Sequence, residues 1–379
     1  MKRNILCACL AAAVMSLSAP RAEAVTLAGL SAKAAVLIDA QTGTVIAEKN
    51  ERQRLPMAST TKIMSALLLL ESGDLDTEFK VDNEAIKVEG SSMGLCEDDI
   101  VTKRALCYGM LLPSGNDAAN ETAVLLAGSA EKFAEMMNKR AEKIGLADTH
   151  FVTPSGLHDP NHYSTAYDMA MLTREALKNE DFREICGTKK AKLEFGNPPY
   201  ERWLVNTNKL LTMYDNCIGV KTGFTDEAGR CLVSAAEKDG VTLICVTLNA
   251  SDDWNDHMKM YDYGFSVSKS CPIEYDGSGL AVKVAGGTAS EIEVVPETVP
   301  MYTVINGKKL DITAEPVIER FVYAPVAKGK RVGKINFCLD GEPLCSIDLV
   351  TKNGCGAVTA EHKPDVYERI IELFRKLTG

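Results

Sequence analysis

The segment from Ile63 to Leu70 constrains the fold more than any other part of the chain, because it is apolar on nearly every face of a helix. Pro56 precedes the run and Gly73 follows it, and both residue types are common where helices begin and end. A helix without a polar face has no side to turn towards water, so other elements must cover it. We therefore predict that this helix runs through the centre of a folded domain.

The composition indicates a folded chain of more than one domain. Its 379 residues are 46% hydrophobic and 25% charged, which supplies apolar material for packed cores and excludes a disordered or low-complexity protein. The length favours about two or three domains. The formal net charge is −10 and no basic cluster stands out, so nucleic acid is not expected as a partner.

Residues 1–24 are typical of a secretion signal. Met1–Asn4 is basic, Ile5–Leu17 is an apolar run too short for a permanent membrane span, and Ala22–Ala24 has the small-x-small pattern of a signal-peptidase site. The pattern predicts cleavage and export, although a retained N-terminal anchor also fits it. No later segment reaches ~18 uninterrupted apolar residues, so the mature chain is not expected to span a membrane.

The cysteines give no indication of a metal site, because none of the ten that follow the signal forms a C-x-x-C pair. Export would permit disulfide bonds. Two pairings stay open on the sequence alone, Cys96 with Cys107 and Cys338 with Cys345.

Residues 25–270 mix strand-like and helix-like patterns, which predicts a domain of α and β structure. Pro and Gly within Leu112–Asn116 interrupt a helical pattern and predict a loop. Residues 147–165, rich in Pro, Gly, His and Asn, predict a long irregular loop. The other predicted elements are a hairpin over 34–47, helices over 102–145, 167–177 and 252–264, and strands over 218–222, 231–236 and 241–249.

Residues 271–363 predict a separate all-β domain, because strand alternation recurs between glycine-containing turns and helical periodicity is absent. Residues 364–379 predict one amphipathic helix. Two interpretations of that helix stay open, a cap on the β domain and an interfacial membrane anchor. Its apolar stripe consists of Val366, Ile370, Leu373, Phe374 and Leu377.

Ser59 to Lys62 is an S-x-x-K sequence at the start of the apolar helix. Free N–H groups and the helix dipole favour negative charge near the serine hydroxyl, and Lys62 lies on the same helical face as Ser59. Burial favours the neutral amine of a lysine, which accepts a proton. The same pattern at Ser129 and Ser266 lacks this context. For the tetrapeptide alone, an ordinary N-cap serine is the simpler interpretation.

Two further motifs follow in order. Ser114 to Asn116 is an S-x-N sequence in the predicted inter-helix loop, and Lys221 to Gly223 is a K-T-G sequence at the end of a predicted strand. Each alone is typical of a turn or a strand end. Together with S-x-x-K they form a three-part signature of acylating serine enzymes.

The chain here resembles the penicillin-binding proteins and serine β-lactamases, and among them the low-molecular-mass D-alanyl-D-alanine carboxypeptidases. The resemblance extends over residues 34–267 and implies an α+β fold, in which an antiparallel sheet with a helical cluster precedes a small all-β domain and an amphipathic helix. In the family this helix often attaches the enzyme to the outer face of the cytoplasmic membrane. The segments that carry the resemblance are 56–62, 109–119, 154–159, 219–225 and 263–265.

The resemblance also implies a mechanism that needs no metal or organic cofactor. Ser59 would attack the carbonyl between two terminal D-alanines of a peptidoglycan stem peptide, Lys62 would take its proton, and water would hydrolyse the acyl-enzyme. Ser114 would pass a proton to the leaving D-alanine. The remaining implied roles are Lys221 holding the Ser114 hydroxyl, Asn116 on the substrate amide, Thr222 and Thr225 on the terminal carboxylate, Gly223 allowing close approach, and the N–H groups of Ser59 and Phe224 as an oxyanion hole.

Some site features are not fixed by any motif. Phe224 stands where relatives often carry Tyr or His, so no polar side chain is expected there. Arg230 and Lys209 are both candidates for the cation that binds the carboxylate. We expect the 147–165 loop to form a rim of the cleft, with Asp168 tying it down.

Other functions stay open. A D,D-endopeptidase would use the same residues, whereas a β-lactamase is less favoured because Glu-x-x-x-Asn is missing after Ser114. A non-catalytic envelope-binding protein is the alternative from another class. The expected partners are peptidoglycan stem peptides, β-lactams as covalent inhibitors and, through the C-terminal helix, the outer face of the cytoplasmic membrane.

Overall fold

The computed structural model describes residues 28–358 and 366–378. The predicted signal, residues 1–24, and the predicted boundary near residue 363 lie outside this part of the chain. The chain divides into two units, one comprising residues up to Ser270 with Thr303–Lys309, the other Cys271–Tyr302 with the residues from Leu310 onwards. The return of Thr303–Lys309 to the first unit was not predicted. It is held there by backbone bonds, such as Asn306 N to Val267 O at 2.8 Å.

The first unit is built on an antiparallel sheet of five strands with the order β2-β1-β9-β8-β7. Its elements in chain order are β1 (Ala34–Asp39), β2 (Val45–Lys49), α1 (Lys62–Glu71), β3 (Glu78–Lys80), β4 (Ile100–Thr102), α2 (Lys103–Leu111), α3 (Asn116–Ala127), α4 (Ala130–Ile144), α5 (Ala166–Ala176), α6 (Glu180–Gly187), β5 (Lys190–Gly196), β6 (Pro199–Val205), α7 (Leu210–Met213), β7 (Cys217–Thr225), β8 (Gly229–Lys238), β9 (Val241–Leu248), α8 (Asp253–Val267) and β10 (Ser268–Pro272), in which the unit ends.

Both faces of the sheet are covered, because alternate residues of β1 enter two different cores. Val36 and Ile38 pack with the helical cluster around α1, whereas Leu37 packs with Tyr261 of α8 on the other face. Helix α1 contacts α2, α3 and α5, and all its residues from Lys62 to Leu70 are buried. The predicted central helix is therefore confirmed by its burial.

Several features of this unit were not predicted from the sequence. Helix α6 and the β5–β6 hairpin occupy residues 180–205, for which no element was predicted. Residues 190–194 and 199–203 are mainly exposed in the hairpin, so this part of the sequence lacks a long apolar pattern. Ser59 also lies in a 3₁₀ turn, Ala58–Thr61, and not in the first turn of the α-helix.

The second unit contains a sheet with the order β14-β16-β17-β12-β11-β15 around a small valine-rich core. With the first unit it confirms the predicted α+β fold class. Its elements are β11 (Ala281–Ala285), β12 (Glu291–Pro296), β13 (Met301–Ile305), which continues into the first unit, β14 (Ile312–Ile318), β15 (Val322–Tyr323), β16 (Arg331–Leu339), β17 (Glu342–Thr351) and α9 (Val366–Thr378).

Two questions left by the sequence concern cysteines and membrane spans. The ten cysteines in the described ranges are free thiols, so neither Cys96–Cys107 nor Cys338–Cys345 is bonded. Across residues 28–358 and 366–378, no helix has both the length and the apolar character to cross a bilayer.

Candidate active site

Two glycines hold the 3₁₀ turn that carries Ser59. A Cβ atom on Gly156 would lie 2.0 Å from the carbonyl oxygen of Ala58, and one on Gly223 would lie 3.0 Å from the Ser59 nitrogen. Ala58 itself has a φ of 47°, a conformation that costs energy for a residue with a side chain. The turn is therefore held in a strained shape by backbone that approaches from the 147–165 loop and from β7.

Lys62 lies directly behind this turn and is fully buried. Its Nζ lies 2.8 Å from Ser59 Oγ, 2.7 Å from Asn116 Oδ1 and 2.8 Å from the carbonyl oxygen of Ser155. Burial holds the pKa of Lys62 well below its ordinary value, the positive charge of Lys221 lowers it further, and Asp117 opposes both effects.

The three partners of Lys62 orient its lone pair. A neutral amine has two N–H donors and one lone pair, and both Asn116 Oδ1 and the Ser155 carbonyl are acceptors. When these two acceptors take the two N–H groups, the lone pair faces the hydroxyl of Ser59. The Ser59 O–H then donates to Nζ, which is the arrangement that a general base requires.

Ser114 and Lys221 lie near this pair but are not hydrogen-bonded to each other. Ser114 occupies the loop between α2 and α3 with a φ of 69°, and its side chain is nearly buried. The Nζ of Lys221 donates to the carbonyl oxygen of Thr222 at 2.8 Å, so the implied bond to the Ser114 hydroxyl is not formed here. Burial lowers the pKa of Lys221 to about 7.

Asn116 makes two hydrogen bonds within the protein that the sequence did not predict. Its Oδ1 accepts from Lys62, and its Nδ2 donates to the carbonyl oxygen of Glu89 at 2.7 Å. A carboxamide has a second Nδ2 hydrogen, which is the group left for a substrate amide. Asn116 therefore positions the amine of Lys62.

The loop beside this asparagine was not predicted from the sequence. The buried carboxylate of Asp117 accepts from the backbone N–H of Met93 at 2.9 Å and from those of Gly94 and Leu95 at 3.1 Å. The adjacent Ser91 lines the cleft. An acidic residue directly after S-x-N, in the first turn of α3, was the one sequence signal that such a loop is held there.

The 147–165 loop supplies the Ser155 carbonyl and is fixed at several points. As expected, Asp168 holds it, because Oδ2 accepts from Asp148 N and Thr149 Oγ1, both at 2.8 Å. At the other side, Ser65 Oγ donates to the carbonyl of Pro154 at 2.6 Å. The loop is thus tied both to α5 and to α1.

His162 forms a further link that the sequence did not indicate. Its Nδ1 accepts from the N–H groups of Val152 and Thr153, so Nε2 carries the hydrogen and donates to Thr61 Oγ1 at 2.8 Å. Thr61 Oγ1 in turn donates to the carbonyl of Ala58. Burial lowers the pKa of His162 to about 4, so the ring is neutral at pH 7.

The third motif lies on β7, the edge strand of the sheet. Thr222 Oγ1 is 2.7 Å from Thr207 Oγ1, and Thr225 Oγ1 accepts from the N–H of Ala228 at 3.1 Å. The Phe224 side chain is 63% exposed. An edge strand has an unpaired side, which leaves backbone groups available for an incoming peptide.

A cleft of about 360 Å³ brings the three motifs together. Ser59, Ser114, Thr222, Gly223 and Phe224 line it, and both candidate cations, Arg230 and Lys209, lie on its wall. Asn116 and the two motif lysines are buried beneath the lining. The arrangement places the Ser59 hydroxyl, with the buried amine of Lys62 behind it, at the floor of a peptide-sized cleft.

Comparison with known proteins agrees with this arrangement. The family model described as D-alanyl-D-alanine carboxypeptidase matches residues 21–252, which is more than half of the chain. The chain belongs to this family. A second model, the C-terminal domain of penicillin-binding protein 5, matches residues 272–356. The family makes the chain a serine-type peptidase.

Individual relatives match over most of their length. D-alanyl-D-alanine carboxypeptidase DacF of Bacillus subtilis is 35% identical over 85% of this chain and 85% of its own. DacC of Escherichia coli is 33% identical over 88% of this chain and 87% of its own. The structure of penicillin-binding protein 5 from Haemophilus influenzae covers 88% of this chain and 99% of its own, with 28% identity and a TM-score of 0.62.

Proposed function

We propose that this enzyme removes the terminal D-alanine from peptidoglycan stem pentapeptides through an acyl-enzyme on Ser59. The observation that carries the proposal is the 2.8 Å contact between Ser59 Oγ and the fully buried Nζ of Lys62. Burial favours the neutral amine of a lysine at this distance, which can accept the hydroxyl proton, and the family supplies the substrate class.

In the acylation step, Ser59 Oγ bonds to the carbonyl carbon between the two D-alanines while its proton passes to Lys62 Nζ. The C–N bond then breaks, and the departing amine takes a proton that the Ser114 hydroxyl at the cleft wall passes on from Lys62. A water molecule afterwards attacks the ester and restores Ser59. The net products are free D-alanine and the shortened peptide.

The developing oxyanion needs fixed donors. The N–H groups of Ser59 and Phe224 are our candidates, because β7 approaches the Ser59 turn so closely that a Cβ atom added to Gly223 would lie 3.0 Å from the Ser59 nitrogen. Such donors are preorganised by the strained turn, and each is worth about 2.7–4 kcal/mol in related acyl-transfer sites. Thr222 and Thr225 are the proposed hydroxyl ligands of the terminal carboxylate.

We also infer that the enzyme is exported and that α9 lies on the outer face of the cytoplasmic membrane. The family acts on a wall polymer outside the cytoplasm, and residues 1–24 have the pattern of a signal. On α9, Leu373, Phe374 and Leu377 are each more than 60% exposed, which is costly in water and favourable at a bilayer interface.

The test of the proposed function combines mass spectrometry with product analysis. Incubation with a penicillin should add one adduct to the peptide that contains Ser59, and an acyl-D-Ala-D-Ala peptide should release D-alanine. Ser59→Ala should lose both reactions, whereas Ser266→Ala, in another S-x-x-K sequence, should keep both. Fast penicillin turnover would instead indicate a β-lactamase, and absence of both reactions a non-catalytic protein.

A further inference from the structure

A peptide cleaved next to its C-terminus brings a carboxylate into the cleft. An anion that leaves water needs hydrogen-bond donors, and a cation strengthens such bonds considerably. No motif identifies that cation in this chain. Two basic side chains, Lys209 and Arg230, line the cleft.

The structure commits Arg230 to another partner. Its Nε and Nη2 donate to the same Oδ1 of Asp253, at 3.1 Å and 2.5 Å, and the Asp253 side chain is only 3% exposed. Drawing Arg230 towards a substrate would leave a buried carboxylate without its cation, which is strongly unfavourable. Arg230 therefore neutralises Asp253 and contributes little net charge to the cleft.

Lys209 has the opposite environment. It is exposed at the start of the short helix α7, and its ammonium has neither a carboxylate nor a hydrogen-bond partner in residues 28–358. Lys62 and Lys221, in contrast, are buried and bonded to oxygens of the protein. Lys209 is thus the cation on this wall whose charge is not already compensated within the described ranges.

The segment that carries Lys209 is anchored beside the K-T-G strand. Thr207 N donates to the carbonyl of Leu112 at 3.1 Å, and the Thr207 and Thr222 hydroxyl oxygens lie 2.7 Å apart. Two hydroxyls have two protons, and their mutual bond uses one of them. Thr207 Oγ1 also lies 3.4 Å from the carbonyl oxygen of Leu112. When Thr207 instead donates to Thr222 at the shorter distance, the Thr222 proton is left for a third oxygen at the exposed side of the pair.

From this geometry we infer that Lys209 and the Thr207–Thr222 hydroxyl pair bind the terminal carboxylate of the substrate. The inference rests on the proposed carboxypeptidase function and adds the specificity-determining residues to it. One carboxylate oxygen accepts a hydrogen bond from the hydroxyl pair, and the other accepts one from the Lys209 ammonium. Both oxygens of the anion are thus bound. The enzyme would therefore distinguish a free C-terminus from a blocked one through residues 207 and 209.

The experiment compares two substrates, an acyl-D-Ala-D-Ala peptide and its C-terminal carboxamide, by kcat/KM. For Lys209→Ala we expect about a tenfold loss on the free acid, mainly in KM, and little change on the amide, since an interaction with an ion is lost. Lys209→Arg should retain the preference for the acid, and Thr207→Val should reduce it. Lys139→Ala on α4 removes the same charge outside the cleft and should behave as wild type.

The possible outcomes distinguish a failure of the Lys209 role from a failure of the proposed carboxypeptidase function. If wild type releases D-alanine but Lys209→Ala keeps the full preference for the free acid, Lys209 is not the carboxylate ligand. An equal loss on both substrates would also overturn the inference, because it would indicate a structural role. If wild type neither releases D-alanine nor reacts with penicillin, the proposed function fails first and the inference fails with it.

Discussion

We propose that Lys62 acts as a base because its surroundings, and not its chemical type, favour the neutral amine. Its amine has no access to water, it lies close to a second buried lysine, and its two non-serine partners are acceptors that fix the lone pair. Each of these conditions comes from a different segment of the chain. The same reasoning predicts how the reaction depends on pH.

We expect the second-order rate of penicillin acylation to follow a bell-shaped pH profile. The rate rises as Lys62 loses its proton, well below the ordinary lysine range, and falls above about pH 7 as Lys221 loses the positive charge that it places beneath the cleft. Arginine stays charged, so Lys221→Arg should shift the alkaline limb to higher pH. Stopped-flow acylation measures this, and an unchanged alkaline limb would mean that Lys221 is not the titrating group.

Gly156 offers a test of how closely the 147–165 loop approaches the Ser59 turn. Gly156→Ala places a Cβ atom 2.0 Å from the Ala58 carbonyl and should lower the free energy of unfolding by about 3 kcal/mol, with slower acylation of Ser59. Gly128→Ala is the matched control, because Gly128 also has a positive φ but no atom lies within 4 Å of the added carbon. That control should lose only about 1 kcal/mol and acylate normally. Urea denaturation measures both losses. Equal losses for Gly156→Ala and Gly128→Ala would argue against a clash between residue 156 and the Ala58 carbonyl.

Among the elements, α1 lies at the centre of the site, and three other segments contact it or the turn that precedes it. The 147–165 loop reaches it through Ser65 and His162, β7 approaches the Ser59 turn through Gly223, and α3 presents Asn116 to Lys62. Each approach is close because a glycine or a satisfied buried polar group lies at the contact. Displacing any of these segments should therefore affect Lys62 before it affects the global fold.

Helix α3 contains a buried acid whose titration is measurable. Burial raises the pKa of Glu121 to about 7, although its bond from Asp82 N opposes this. Because the folded state holds this proton more tightly than the unfolded state, stability is greatest below about pH 4.5 and is lost as pH rises through 7. Glu121→Gln should remove about 1–2 kcal/mol of the decrease in unfolding free energy between pH 5 and 8. Urea unfolding at each pH measures this. If the idea is wrong, the unfolding free energy of both proteins will change by the same amount between pH 5 and 8.

At the scale of the whole molecule, the chain combines a catalytic first unit with a second unit of different chemistry. The cleft and all three motifs lie in the first unit, whereas the exposed apolar stripe of α9 belongs to the second. Membrane attachment and catalysis are therefore expected to be separable by mutation.

Vesicle binding tests this separation. Replacing Leu373 and Phe374 together by glutamate should abolish co-sedimentation with phosphatidylglycerol–phosphatidylethanolamine vesicles, because charge on the apolar stripe opposes burial in the interface. Penicillin acylation should stay unchanged. Glu372→Gln, on the polar face, should bind at least as well as wild type. Equal binding of all three proteins would show that α9 is not the anchor.

Local patterns in the sequence were sufficient to predict the central helix and the loop at Ser114. They were also sufficient to predict a mixed α and β domain followed by an all-β domain. These features depend on periodicity and on turn-forming residues within short windows, and the structure agrees with them. The α6 helix and the β5–β6 hairpin were missed although both have local signals, an Asn179 N-cap with amphipathic spacing in α6 and polar–apolar alternation over residues 190–195. The 3₁₀ turn at Ser59 has no such signal, because its shape depends on backbone that approaches at Gly156 and Gly223.

Tertiary structure alone decided how the site works. The partners of Lys62 come from positions 54 and 93 residues away along the chain, and the partner of Thr222 lies across the cleft wall at Thr207. The sequence named both candidate cations, but only the contact of Arg230 with Asp253 distinguishes them. A motif specifies which groups are present, whereas burial and the pairing of distant segments set their charge and direction.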